Sequence, residues 1–164
     1  LMQIMPSTAA HLGLPMSMIH EPEANVAAAA RYMAELQGHF ADVGDPSQRM
    51  LFALASYNGG YFHIRDAMAL ARKHGQNPHN WGVIRDYILR LSQPAYYTDP
   101  VVKYGYMRGT ETVNYVDRIR ARWGEYSGGS GFHESLRGSS GMGSGSFHGA
   151  PVKSKRHYQN KYHI

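Results

Sequence analysis

Asp45-Pro46-Ser47-Gln48-Arg49-Met50-Leu51-Phe52-Ala53-Leu54-Ala55-Ser56-Tyr57-Asn58-Gly59-Gly60 is the stretch on which the fold turns. Asp45 reads as a helix N-cap, Pro46 as a first-turn proline and Gln48 as the capping-box partner that reaches back to the cap. Met50, Leu51, Leu54 and Ala55 recur at steps of three and four, which align apolar side chains on one helix face, and Asn58-Gly59-Gly60 stops the helix. The same period governs the neighbouring segments. Upstream, Asn25 is a plausible cap for a helix that buries Val26, Ala29, Ala30, Met33, Leu36 and Phe40. Downstream, a helix from about His63 to Gly75 turns Ile64, Ala67, Met68 and Ala71 inward, with Lys73 and His74 in its last turn and a glycine stop.

A further helix follows Asn77-Pro78 and uses Trp81, Ile84, Ile88 and Leu91. The last starts near Thr110 and sets Val113, Val116, Ile119 and Trp123 on one side before Gly124. Between them, Ser92 to Gly109 is rich in Tyr, Pro and Gly and reads as an ordered loop, too aromatic to be an idle linker. No segment alternates with period two between turn signals, so no strand is required. The expected fold is all-α: a globule of five to six short helices.

The helical body ends near Tyr126. Beyond it, Gly and Ser fill 16 of 38 positions, a composition that buries too little apolar surface to offset the entropy of ordering the chain. The expected organisation is therefore a folded domain over 1–126 and a disordered tail over 127–164. The formal charge is +5. Arg137, Lys153, Lys155, Arg156 and Lys161 against Glu134 give the tail +4 and leave the body at +1. So weakly charged a body lacks the clustered basic face that duplex DNA requires, and no nucleic-acid partner is expected.

With no cysteine in 164 residues, disulfide scaffolds, thiolate metal sites and cysteine nucleophiles are excluded. The tail histidines His133, His148, His157 and His163 lack the paired spacing of a metal site, and no glycine motif cradles a phosphate, so neither metal nor cofactor is expected. No run reaches the ~20 apolar residues of a membrane span, and the first residues lack the pattern of a signal peptide.

Three clusters then stand out in order. Leu1-Met2-Gln3-Ile4-Met5-Pro6-Ser7-Thr8-Ala9 is similar to a Gly-Leu-Met-Gln motif without its opening glycine. Ala53-Leu54-Ala55-Ser56-Tyr57-Asn58-Gly59-Gly60 resembles an Ala-Tyr-Asn motif in which Ser56 replaces the alanine. Tyr104-Gly105-Tyr106-Met107-Arg108-Gly109, leading to Glu111 and Asn114-Tyr115-Val116, resembles a closing motif with an active-site tyrosine. Together they resemble the SLT-type lytic murein transglycosylase domain, a relative of goose-type lysozyme. Asp66-Ala67, Leu70-Ala71, Gly75, Trp81 and Leu91-Ser92-Gln93 with Tyr96-Tyr97 narrow the resemblance to the branch called membrane-bound lytic murein transglycosylase F. Any one cluster alone reads equally well as surface or core-edge structure.

That resemblance implies a lysozyme-like fold and cleavage of the MurNAc–GlcNAc bond of peptidoglycan to anhydro-muramoyl ends. One glutamate acts first as acid and then as base. It implies that the glutamate lies upstream of Leu1, that the chain as written is inactive, and that none of its own acids replaces the missing one. By the same resemblance Gln3 binds sugar near the cleavage point, Met2 helps wall the groove, Tyr57 and Asn58 hold the N-acetyl group and the sugar whose ring must distort, Tyr115 orients the glutamate and Glu111 contacts the peptide stem or groove rim. Glu111 reads equally as a first-turn acid favouring the helix dipole. The implied partner is the glycan strand, met as a monomer on the periplasmic side of the bacterial envelope. Any membrane contact, to the outer membrane, comes through an upstream anchor. A goose-type lysozyme hydrolase and a non-catalytic peptidoglycan-binding module remain open beside this reading.

Overall fold

A computed structural model describes residues 6–126, and among these every regular element is helical. Seven helices follow one another: α1 (Pro6–His11), α2 (Pro22–His39), α3 (Pro46–Gly59), α4 (Tyr61–Lys73), α5 (Trp81–Arg90), α6 (Pro94–Tyr97) and α7 (Gly109–Tyr126). A 3-10 turn, Met16–Met18, lies between α1 and α2. The all-α expectation holds, with seven helices where five or six were expected. The additional ones are the short α1 and α6, the latter inside the aromatic loop. The Gly/Ser-rich segment 127–164 lies outside the described residues.

Helix α3 occupies the centre, packing against α2, α4 and α7, while α5 closes the far side against α4 and α7. Its start is as the sequence suggests: Pro46 opens it and the Asp45 carboxylate accepts from the Ser47 and Gln48 amides at 2.7 and 3.4 Å. The capping box is not closed, however. Gln48 is buried, and its Oε1 accepts from the Trp81 backbone N–H at 2.6 Å, so the side chain ties α3 to the first turn of α5 instead of to its own cap. A buried amide N–H without an acceptor costs about 1–3 kcal/mol, which favours the long-range partner.

The main core gathers Phe40, Leu51, Phe52, Ala55, Ile64, Met68, Trp81, Ile84, Ile88, Leu91, Val113 and Val116. Phe52 meets Trp81 edge-on with ring centroids 6.1 Å apart. Helix α2 differs from its reading in phase. Pro22 starts it three residues before Asn25, and its buried face carries Asn25, Ala28, Ala29 and Leu36, while Val26 is 55% exposed and Ala30 is on the outside. Asn25 is no cap: its Nδ2 donates to the Ile19 carbonyl at 3.0 Å and fixes the preceding turn. In α7, Val113 and Val116 are buried as expected but Trp123 is 57% exposed, and the helix runs through Gly124 to Tyr126.

A second, smaller cluster joins Ala9 and Leu14 to Ala28 and Ala29, with Tyr57 packed against it. Tyr57 therefore stands where the N-terminal segment meets the central helix. At the opposite end of α2, Arg65 of α4 makes a two-pronged ion pair with Asp42 at 2.8 and 3.0 Å and lies over the Phe40 ring at 4.7 Å. The loop before α7 is fixed from beneath. The buried Asp66 accepts from the backbone amides of Lys103 and Tyr104 at 3.0 and 2.8 Å, and Met107 N donates to Leu91 O at 3.2 Å.

Candidate functional site

Tyr57 and Asn58 occupy the last turn of α3. That helix runs on to Gly59 because the positive φ falls on Gly60 (φ +89°), a conformation that costs glycine nothing, and not on Asn58. The Gly60 amide still reaches Ser56 O at 2.9 Å and completes the turn. Gly59 permits the next contact. A Cβ there would lie 2.4 Å from Met107 Cε and 2.5 Å from Thr112 Oγ1, so only glycine lets the start of α7 come this close to the end of α3. Thr112 Oγ1 then donates to Asn58 Oδ1 at 2.9 Å.

Tyr57 is half-buried, and its ring sits 5.7 Å from that of Tyr32 on α2, tilted by 49°. Its hydroxyl oxygen is shielded from solvent and has no hydrogen-bond partner among the described residues. Burial, reinforced by the neighbouring Tyr115 and Tyr32 hydroxyls, pushes the Tyr57 phenol up from its ordinary value of 10.0. Burial does the same to Tyr115, against the pull of Arg118, and to Tyr32, with help from Glu35. All three phenols therefore stay neutral at physiological pH and can donate a hydrogen bond. The Tyr115 ring packs on the main core from α7.

Of the residues singled out in the sequence, the structure thus brings Tyr57, Asn58 and Tyr115 to the junction of α3 with α7. Glu111 stands in the first turn of α7, next to Thr112. Met2 and Gln3 lie outside the described residues. Three participants were not read from the sequence. Thr112 looks like an ordinary helix residue until its partner, 54 positions away, is known. Tyr32 stands on the preceding helix, α2, and is remote from Tyr57 in sequence, and Gly59 resembles a simple stop. The one available signal was the Gly59-Gly60 pair, since a turn needs only one glycine and the second then implies a close approach.

Where the acids of the described body have shifted pKa values, the direction is down. Hydrogen bonding to His11 lowers Glu35, the Arg65 guanidinium lowers Asp42, and Lys73 lowers Asp99. A group that must protonate a leaving oxygen needs the opposite shift. Among the described residues no set of three or more His, Asp or Glu side chains could hold a metal ion, and no helix is long and apolar enough to cross a membrane.

Residues 1–80 match the family described as Transglycosylase SLT domain. The chain is 41% identical over 119 residues to a protein of Desulfosudis oleivorans named membrane-bound lytic murein transglycosylase F, which covers 73% of this chain and 25% of that protein. It is 37% identical over 120 residues to the like-named protein of Shewanella loihica, covering 73% and 24%. With that of Klebsiella pneumoniae it shares 43% over 90 residues, covering 55% and 17%. The chain spans about a quarter or less of the length of these relatives.

Proposed function

We propose, since the chain belongs to the transglycosylase SLT domain family, that it supplies the glycan-holding wall of an enzyme that cleaves peptidoglycan at the bacterial envelope. The observation that carries this is the junction of α3 with α7, where the Tyr57 hydroxyl lies shielded and without a partner among the described residues, beside Asn58 and Tyr115. A buried donor left unmade costs about 1–3 kcal/mol, and a ligand oxygen that accepts from it recovers that cost.

In the proposed reaction a glutamic acid protonates the glycosidic oxygen and the bond from that oxygen to C1 of MurNAc breaks. The C6 hydroxyl oxygen of the same sugar bonds to C1, and its proton passes to the glutamate, so the product is an anhydro-muramoyl end and no water is consumed. Tyr57 and Asn58 hold the N-acetyl group of the sugar that must distort. Thr112 donates to Asn58 Oδ1, which leaves the Asn58 amide nitrogen as the donor toward the ligand. Tyr115 orients the glutamate. Gln3 binds the sugar near the cleaved bond, Met2 walls the groove and Glu111 meets the rim. The downward shifts of Glu35, Asp42 and Asp99 make these three carboxylates poor proton donors and support a different acid in that role.

The test is to mix the purified chain with sacculi and measure both retention and product. Retention without release of anhydro-muropeptides is expected, and Tyr57→Phe should weaken retention about tenfold, the worth of one ligand hydrogen bond. Release of muropeptides by this chain would refute the placing of the acid. Failure of the chain to sediment with sacculi would refute the groove.

A further inference from the structure

Phe62 and Tyr104 lie face to face, ring centroids 4.3 Å apart and 14° from parallel, yet they remain 52% and 51% exposed. Tyr106, 58% exposed, stands two residues beyond Tyr104, edge-on to Tyr97 at 5.8 Å. Stacked in this way the two rings cover each other's inner faces, and the half of each side chain left to water is a preorganised apolar surface. That surface is held rigidly. Asp66 fixes the Tyr104 amide at 2.8 Å, Phe62 stands in the first turn of α4, and Gly105 (φ +76°) makes the turn between the two tyrosines.

Its position is set by Gly59. Phe62 lies three residues after that glycine, and Tyr104 lies three residues before Met107, whose Cε closes on it. Three peptide units span at most about 11 Å, which bounds Phe62 from Gly59, and the 4.3 Å stack keeps the Tyr104 ring beside that of Phe62. We propose that the Phe62–Tyr104 stack is a distal platform for the apolar C–H face of a pyranose ring in the same polysaccharide strand, beyond the sugars held at Tyr57 and Asn58. The inference rests on the peptidoglycan reading above and adds to it the expectation that long strands bind more tightly than short ones. A sugar ring suits the surface because it offers a flat C–H face to the rings while its hydroxyls stay in water.

Binding of the whole chain to two ligands, measured by calorimetry, tests it: a single muropeptide disaccharide, and long glycan strands freed of peptides by an amidase. Phe62→Ala and Tyr104→Ala should each bind the long strand roughly three- to tenfold more weakly, the scale of one lost aromatic contact, and bind the disaccharide as the wild type does. Phe62→Tyr, which keeps the plane, should retain long-strand affinity, and Tyr57→Phe should weaken both ligands. Equal losses on both ligands, or none on the long strand, overturn the platform while leaving the groove standing. A wild-type chain that binds neither ligand overturns the groove and the platform together. A drop in sedimenting mass on Phe62→Ala makes the patch a contact between copies of the chain and also overturns it.

Discussion

Asp66 takes a carboxylate to 4% exposure with two backbone amides as its partners, and the loop that carries Tyr104 hangs from it. Asp66→Ala leaves both amides without an acceptor and should cost about 2–4 kcal/mol in urea unfolding, whereas Asp66→Asn keeps one acceptor oxygen and should lose less. Equal stability of the alanine variant and the wild type would show that water replaces the carboxylate. In the sequence Asp66 was visible only as part of a resemblance, because its partners lie 37 and 38 positions away. Asp45 was legible as a cap because its partners are two and three positions away. Gln48 was misjudged for the same reason as Asp66: a side chain that could close a local box was claimed by Trp81, 33 residues on. Tyr57, Asn58 and Tyr115 were singled out by motif, and what pattern alone did not disclose was the Thr112 hydroxyl that fixes Asn58.

Helices α5 and α7 cross where Gly109 leaves no room. A Cβ there would lie 2.1 Å from the Ile88 carbonyl oxygen, which is backbone and cannot rotate away. At Gly59 the obstructing atoms belong to the side chains of Met107 and Thr112. Gly109→Ala should therefore be the more damaging of the two, at or above the ~3 kcal/mol upper end of ordinary overpacking, with Gly59→Ala nearer the ~1 kcal/mol lower end. Paired denaturant melts check the order, and the reverse ranking would mean that Met107 is held more firmly than the backbone of α5. The longer helices were readable from periodicity because ten or more residues repeat a face several times, as Trp81, Ile84, Ile88 and Leu91 do. Helices α1 and α6, of six and four residues, are too short to show a period. Helix α2 is legible but turned: the run Ala27 to Ala30 is alike on every side and gives no phase, so the pattern puts Val26 inward and makes Asn25 a cap, where the structure exposes Val26 and buries Asn25 within the helix.

Across the protein the shifted groups fall into a lowered set and a raised set, and together they shape the response to pH. Burial, opposed by Asp66, lowers His63 from the ordinary 6.5, so the folded chain holds fewer protons there than the unfolded one. That contribution is complete above 6.5 and lost as the pH falls, and the lowered Glu35, Asp42 and Asp99 add a second loss further into acid. Tyr32, Tyr57 and Tyr115 are raised from 10.0, so their contribution is complete below that pH and lost above it. Unfolding free energy should form a plateau between about pH 6.5 and pH 10, and His63→Gln should remove the acid shoulder nearest neutrality. Urea melts across this range measure it, and an unchanged shoulder in the variant would assign that loss to another group. One last feature constrains how such a chain can vary. Only Gly60 separates α3 from α4, so an inserted residue would turn everything after it by about 100° about the α4 axis and carry Ile64 and Met68 out of the core. Insertions and deletions among descendants of this chain are thereby barred from that joint, and length drift falls to stretches such as 74–80, where a changed residue count leaves both flanking helices in place.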